Sequence, residues 1–101
     1  MVSNLSHKIH QEIIEIAIRY PVQKIVLFGS RARGDNKRTS DIDLAVFPLP
    51  NFNQKGHLTR DLDDINTLLK IDIVLVDEKT GSRLRNAVES EGITIYECSE
   101  N

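Results

Sequence analysis

The spacing of apolar residues divides the chain into alternating helical and extended segments. Apolar residues recur at helical spacing over residues 5–20 and again over 55–69, so both segments are predicted to be amphipathic helices. Pro21 ends the first helix because proline lacks a backbone donor and its ring clashes with the preceding turn. A third helix is predicted over residues 80–91, with the Thr80 side chain as its N-terminal cap.

Short runs of β-branched and aromatic residues separate these helices. The runs cover residues 24–28, 41–47, 71–76 and 93–96, and each is predicted to form a strand. Helices that alternate with strands indicate the α/β class, with one sheet and helices packed on it. No repeat or linker divides the sequence, so residues 1–101 are expected to form a single domain around one core.

Two aspartates begin the second predicted strand. A strand places residues i and i+2 on one face, so Asp41 and Asp43 point one way while Ile42 and Leu44 point the other. Two carboxylates side by side on a half-buried strand repel each other unless a cation is shared between them. A divalent metal ion is the natural partner. The alternative is that both are strand-edge acids that only discourage aggregation.

A third acid, Asp72, lies between Ile71 and Ile73 in the third predicted strand. A carboxylate inside an apolar strand is costly unless it is paired, so we expect Asp72 to join Asp41 and Asp43 on an adjacent strand. Three carboxylates at one point suit Mg²⁺, and two such ions can stabilise the attacking and leaving oxygens of a phosphoryl-type displacement. A solvent-facing Asp72 is the alternative.

Gly29 and Ser30 follow the first predicted strand and suggest the other half of a substrate site. Glycine permits a tight turn, and the amides of Ser30 and Arg31 can open a one-turn helix whose N-terminus attracts phosphate. The basic cluster of Arg31, Arg33, Lys37 and Arg38 can neutralise a triphosphate. The implied chemistry is transfer of a nucleoside monophosphate from an NTP, with pyrophosphate leaving. A plain turn followed by a solvated basic loop is the alternative.

The order Gly29-Ser30, ten residues, then Asp41-Ile42-Asp43 resembles the Gly-Ser-x10-Asp-x-Asp signature of the polymerase-β-type nucleotidyltransferase superfamily. The length and the C-terminal segment are most similar to its minimal nucleotidyltransferases, the MNT proteins. This resemblance implies the superfamily's α+β fold, a short mixed β-sheet with helices packed on it.

The resemblance also implies roles for the individual residues. It assigns Asp41 and Asp43 to the binding of two Mg²⁺ ions. The third acid, Asp72, would help to hold the catalytic metal and to deprotonate the acceptor hydroxyl. Gly29 and Ser30 match the triphosphate-binding turn. Three basic residues are carried over as expected nucleotide contacts: Arg31, Arg33 and Lys37.

Minimal members resemble the antitoxin half of MNT–HEPN toxin–antitoxin pairs. The resemblance therefore implies a HEPN ribonuclease toxin as partner and transfer of AMP from ATP to a hydroxyl of that toxin. Two alternatives stay open. The chain could neutralise the toxin by binding alone, without catalysis, or it could nucleotidylate a small molecule such as an aminoglycoside.

Composition limits the remaining possibilities. The formal net charge of −2 argues against direct DNA binding, because dedicated nucleic-acid binders are usually basic. No apolar stretch approaches the roughly 20 residues of a membrane span, and the single cysteine, Cys98, fits a reducing compartment. We therefore expect a cytoplasmic protein without a membrane partner. A homo- or hetero-oligomer is compatible with the sequence.

Overall fold

A computed structural model describes residues 5–65 and 67–98. Its elements are α1 (His7–Ala17), β1 (Val22–Phe28), α2 (Ser30–Arg33), β2 (Ile42–Pro48), α3 (Lys55–Asp63), β3 (Ile71–Leu75), α4 (Ser82–Glu91) and β4 (Ile93–Glu97). The strands of this part of the chain form one sheet in the order β3-β2-β1-β4. β1 runs antiparallel to β2 and β4, whereas β2 and β3 are parallel. The mixed sheet with packed helices is the fold that the sequence predicts.

The two faces of the sheet bury different residues because side chains alternate along each strand. Ile42, Leu44 and Val46 of β2 belong to the main core, which also contains buried residues of α1 and α3. On the other face, Ala45 packs in a smaller cluster with Val88 of α4. Helices therefore cover both faces of the sheet. No helix in the described ranges is both long and apolar enough to cross a membrane.

The first helix is shorter than its apolar pattern predicts. It ends at Ala17 instead of residue 20, and the chain then tightens into a turn in which the Tyr20 amide donates to the Ala17 carbonyl at 3.1 Å. Proline disfavours the helical conformation of the residue that precedes it, so Pro21 also acts against a helical Tyr20.

The helix predicted over 55–69 ends at Asp63. Ile65 still reaches the core, but Thr67 turns the chain, and its hydroxyl accepts a hydrogen bond from the Leu69 amide at 3.1 Å. Carboxylates are unfavourable near the negative C-terminal end of a helix, and Asp61, Asp63 and Asp64 gather there. The apolar periodicity alone does not record that effect.

The start of α4 also differs from the prediction. Gly81, and not Thr80, precedes its first residue. The Thr80 hydroxyl instead accepts from the Asp77 amide at 2.9 Å and closes the preceding turn. At the other end Gly92 allows α4 to lie against β1, since a Cβ there would be 2.4 Å from Val26 Cγ1.

Candidate active site

Asp43 and Asp72 occupy neighbouring positions on the sheet. They are register partners on the parallel strands β2 and β3, so their side chains leave the same face. That face is the one that carries Ala45 and α4, and both carboxylates are half-buried there. The structure thus brings together two of the three acids singled out in the sequence.

Asp41 lies just before β2, which begins at Ile42, and its side chain is exposed. It nevertheless acts on Asp43 electrostatically. Burial raises the pKa of Asp43, the carboxylates of Asp72 and Asp41 raise that pKa further, and the Arg33 guanidinium partly offsets them. Negative charge is therefore concentrated at this edge of the sheet without full compensation.

The arrangement of these acids bears on metal binding. Among residues 5–65 and 67–98, no three His, Cys, Asp or Glu side chains are placed to hold a metal ion as they stand. Asp72 is turned toward Lys70, whose Nζ lies 3.4 Å from its Oδ1. The charge repulsion at Asp43 and the oxygen ligands of Asp41, Asp43 and Asp72 suit Mg²⁺ chemically.

Lys70 was not among the residues selected from the sequence. Lys70 and Asp72 are two positions apart, the spacing that places side chains on one face of a strand. A basic residue at that spacing is the signal that could have identified it. The Lys70 side chain is mostly exposed and that of Asp72 is half-buried, so the ion pair is weak and Asp72 can exchange Lys70 for another partner.

The Gly29–Ser30 turn lies directly against Asp43. Gly29 has φ 79° and ψ −157°, a conformation that other residues rarely adopt, and a Cβ on it would be 2.4 Å from Asp43 Oδ2. Ser30 then begins α2, the short helix that the sequence predicts, and Gly34 ends it at φ 90°. The first amides of a helix make no intrahelical bond and can bind an anion.

Arg31 has a different environment from the one predicted. It is only 7% exposed, and its guanidinium donates to the carbonyls of Lys37 (3.4 Å), Arg38 (3.1 Å) and Ser40 (3.1 Å). The sequence predicted a phosphate contact for Arg31. Its hydrogen bonds instead hold the loop that leads into β2, because a planar guanidinium can bind several backbone carbonyls at once.

The two other basic residues are exposed. Arg33 donates through Nε to Asp35 Oδ2 and through Nη1 to Glu91 Oε2, both at 3.1 Å. The Lys37 side chain is open to solvent beside the same loop. Of these two residues, Arg33 acts on the predicted site, because its charge lowers the pKa of Asp43 against the effect of the neighbouring carboxylates.

Glu91, the last residue of α4, was also missed in the sequence. Its Oε2 accepts from the Gly29 amide at 3.0 Å and from Arg33 Nη1 at 3.1 Å. The sequence gives no local signal for these contacts, because 62 positions separate Gly29 and Glu91.

A groove of about 640 Å³ at the opposite ends of β2 and β3, lined in part by Phe52 and Arg85, contains none of the three acids.

A sequence model of the polymerase beta nucleotidyltransferase family matches residues 11–101. The chain belongs to this family. The nucleotidyltransferase fold and the family membership make it a nucleotidyltransferase, as the spacing of its glycine, serine and aspartates predicts. A candidate protein adenylyltransferase of Methanocaldococcus jannaschii is 37% identical over 62 residues, which cover 59% of this chain and 71% of the relative.

Solved structures give the same fold. A toxin–antitoxin structure with AMP-PNP contains a similar chain with a TM-score of 0.72 and 25% identity, covering 88% of this chain and 73% of that one. A candidate minimal nucleotidyltransferase has a TM-score of 0.62 and 28% identity, with 83% and 86% covered. A complex of a tri-AMPylated Shewanella oneidensis HEPN toxin with an MNT antitoxin has a TM-score of 0.58 and 25% identity, with 89% and 71% covered.

Proposed function

We propose that this nucleotidyltransferase transfers AMP from Mg²⁺-bound ATP to a hydroxyl of a partner protein, and that the partner is a HEPN-type toxin. The observation that carries the proposal is the position of the Gly29–Ser30 turn against Asp43, with Asp72 in register beside it. A phosphate-binding turn next to clustered carboxylates suits a nucleotide whose phosphates are shared between backbone amides and metal ions.

Different residues bind the phosphates, hold the metal ion and accept the proton. The Ser30 hydroxyl and the turn amides hold the β- and γ-phosphates, and Arg33 and Lys37 neutralise their charge. Asp41, Asp43 and Asp72 would hold Mg²⁺, which would supply charge stabilisation for the transferred phosphate and the leaving pyrophosphate. The acceptor oxygen forms a bond to the α-phosphorus while the bond to the pyrophosphate oxygen breaks. The acceptor proton passes to Asp72.

The choice of a protein acceptor rests on the relatives. A related chain of Methanocaldococcus jannaschii is named for protein adenylylation, and one similar structure holds a tri-AMPylated HEPN toxin with its MNT antitoxin. Asp43 and Asp72 are only half-buried, so a side chain of a separate protein can approach their carboxylates.

The proposal is tested with purified chain, a HEPN protein from the neighbouring gene, Mg²⁺ and ATP labelled in the α-phosphate. We expect label on the HEPN protein and release of pyrophosphate. Asp41→Asn with Asp43→Asn should abolish transfer. Asp63→Asn with Asp64→Asn makes the same charge change on exposed residues at the C-terminal end of α3 and should leave transfer intact. Transfer by the first double variant at the wild-type rate would overturn the proposal.

Neutralisation by binding alone is the second candidate, favoured by the similar chains seen in toxin–antitoxin structures. The same variants separate the two functions. If Asp41→Asn with Asp43→Asn still protects cells from the toxin although it transfers no AMP, binding accounts for protection. If protection is lost while the complex still forms, AMP transfer accounts for it.

A further inference from the structure

The Glu91 carboxylate joins two parts of the phosphate-binding segment. One oxygen, Oε2, accepts from the Gly29 amide at 3.0 Å and from Arg33 Nη1 at 3.1 Å. Its side chain is 21% exposed, so the two bonds are partly shielded from water. Hydrogen bonds to a charged acceptor are stronger than neutral ones, and shielding strengthens them further.

The position of Glu91 is fixed by the packing of its helix. Val88 of α4 is buried against Val26 of β1, and the Gly92 amide closes the helix by donating to the Val88 carbonyl at 2.9 Å. The absence of a side chain on Gly92 permits this close approach. Glu91 is therefore presented from a rigid element to the turn that follows β1.

Gly29 needs such an external restraint. Glycine loses more conformational freedom on ordering than any other residue, and Gly29 is held at a positive φ beside Asp43. Resting on the proposed function, we propose that Glu91 is a positioning residue that fixes the Gly29–Ser30 turn relative to Asp43 and so prepares the site for the triphosphate. Its role is exerted through Gly29 and requires no contact with the nucleotide.

Glu91 also affects nucleotide binding through Arg33, and this effect weakens binding. The Arg33 guanidinium is shared between Glu91 and Asp35, and a bound triphosphate must compete with both carboxylates for it. Replacing Glu91 by glutamine keeps an oxygen that can accept from the Gly29 amide but removes the negative charge. Replacing it by alanine removes both. The two variants therefore separate the hold on the turn from the hold on Arg33.

The first measurement needs no nucleotide. We expect Glu91→Ala to shift the Gly29 amide resonance and to speed its hydrogen exchange by about tenfold or more, the scale of one lost hydrogen bond, while Glu91→Gln stays near wild type. Glu89→Ala removes an exposed carboxylate from the same helix and should leave the Gly29 amide unchanged. Wild-type exchange of Gly29 in Glu91→Ala would overturn the inference.

The second measurement is the affinity for Mg²⁺-ATP, together with KM and kcat for AMP transfer. Glu91→Ala should raise Kd and KM about tenfold with little change in kcat, and Glu91→Gln should bind ATP as tightly as wild type or more tightly. If both variants lost ATP affinity equally, or if kcat fell as much as KM rose, a positioning role would be rejected. A wild-type chain that binds no ATP would instead reject the proposed function, whereas the Gly29 exchange result would still report on Glu91.

Discussion

Asp43 and Asp72 face the same side of the sheet from directly opposed positions on β2 and β3, and Asp43 carries a raised pKa as a result of burial, Asp72 and Asp41. The folded protein therefore keeps the Asp43 proton to higher pH than the unfolded chain does. Stability contributed by this group falls as pH rises from the ordinary aspartate pKa, about 3.9, through the raised value.

The first prediction follows from that sign. At pH 7 without metal, Asp43→Asn should be more stable than wild type, and the difference should disappear as pH falls to the ordinary aspartate range. Urea unfolding between pH 4 and 8 measures it, with Glu78→Gln in an exposed turn as the control. Added Mg²⁺ should stabilise wild type more than Asp43→Asn. A less stable Asp43→Asn at pH 7 in EDTA would contradict the charge argument.

The second prediction concerns the close approach of Gly29 to Asp43. Gly29→Ala should destabilise the fold by about 1–3 kcal/mol, because its φ is 79° and the new Cβ would meet Asp43 Oδ2. Gly56→Ala is the matched control. Gly56 lies in α3 with nothing within 4 Å of its added Cβ, so alanine there should be neutral or stabilising by up to about 1 kcal/mol. Equal effects at the two sites would contradict the strain at Gly29.

The third prediction tests the environment of Arg31. Arg31→Lys should cost about 2 kcal/mol of unfolding free energy, because an ammonium cannot reproduce the bonds to the carbonyls of Lys37, Arg38 and Ser40. Arg38→Lys changes an exposed side chain in the same loop and should have a much smaller effect. If Arg31→Lys left stability unchanged but weakened ATP binding, the result would support the phosphate contact that the sequence predicts for Arg31.

The fourth prediction concerns the ion pair between Lys70 and Asp72. At the proposed site Mg²⁺ would compete with the Lys70 ammonium for the Asp72 carboxylate, so Lys70→Met should lower the half-saturating Mg²⁺ concentration by about two- to fivefold. Thermal unfolding during a Mg²⁺ titration gives this value, and Lys79→Met is the control in an exposed turn. A higher Mg²⁺ requirement, with weaker ATP binding, would indicate that Lys70 contacts the nucleotide.

The elements that the sequence predicts well are those with a strong period. The alternation of Ile42, Leu44 and Val46 identifies the buried face of β2 and hence the opposite face for Asp43. The end of α3 is less visible, because the carboxylates near Asp63 act through the helix dipole and leave the apolar pattern intact.

In the predicted site, too, the residues with a local sequence pattern are predicted well and the others are not. Gly29, Ser30 and Asp43 are near each other in the chain, and a strand–turn–strand pattern is enough to group them. Arg31 and Arg33 look alike in the sequence, but two positions along a helix differ by about half a turn. Arg31 therefore points into the protein and Arg33 to the surface. The Glu91 contacts depend on how α4 packs, which no local pattern encodes.

The sheet order means that different segments of the chain place Asp43 and Asp72. Asp43 meets the end of β1 through an antiparallel pair joined by α2 and its loop, whereas Asp72 arrives only after the crossover that includes α3. Loop-closure entropy grows slowly with length, so insertions in that crossover are tolerable if β3 keeps its register. The crossover is accordingly where this scaffold can be lengthened, or fused to a reporter, while its glycine–serine turn stays intact.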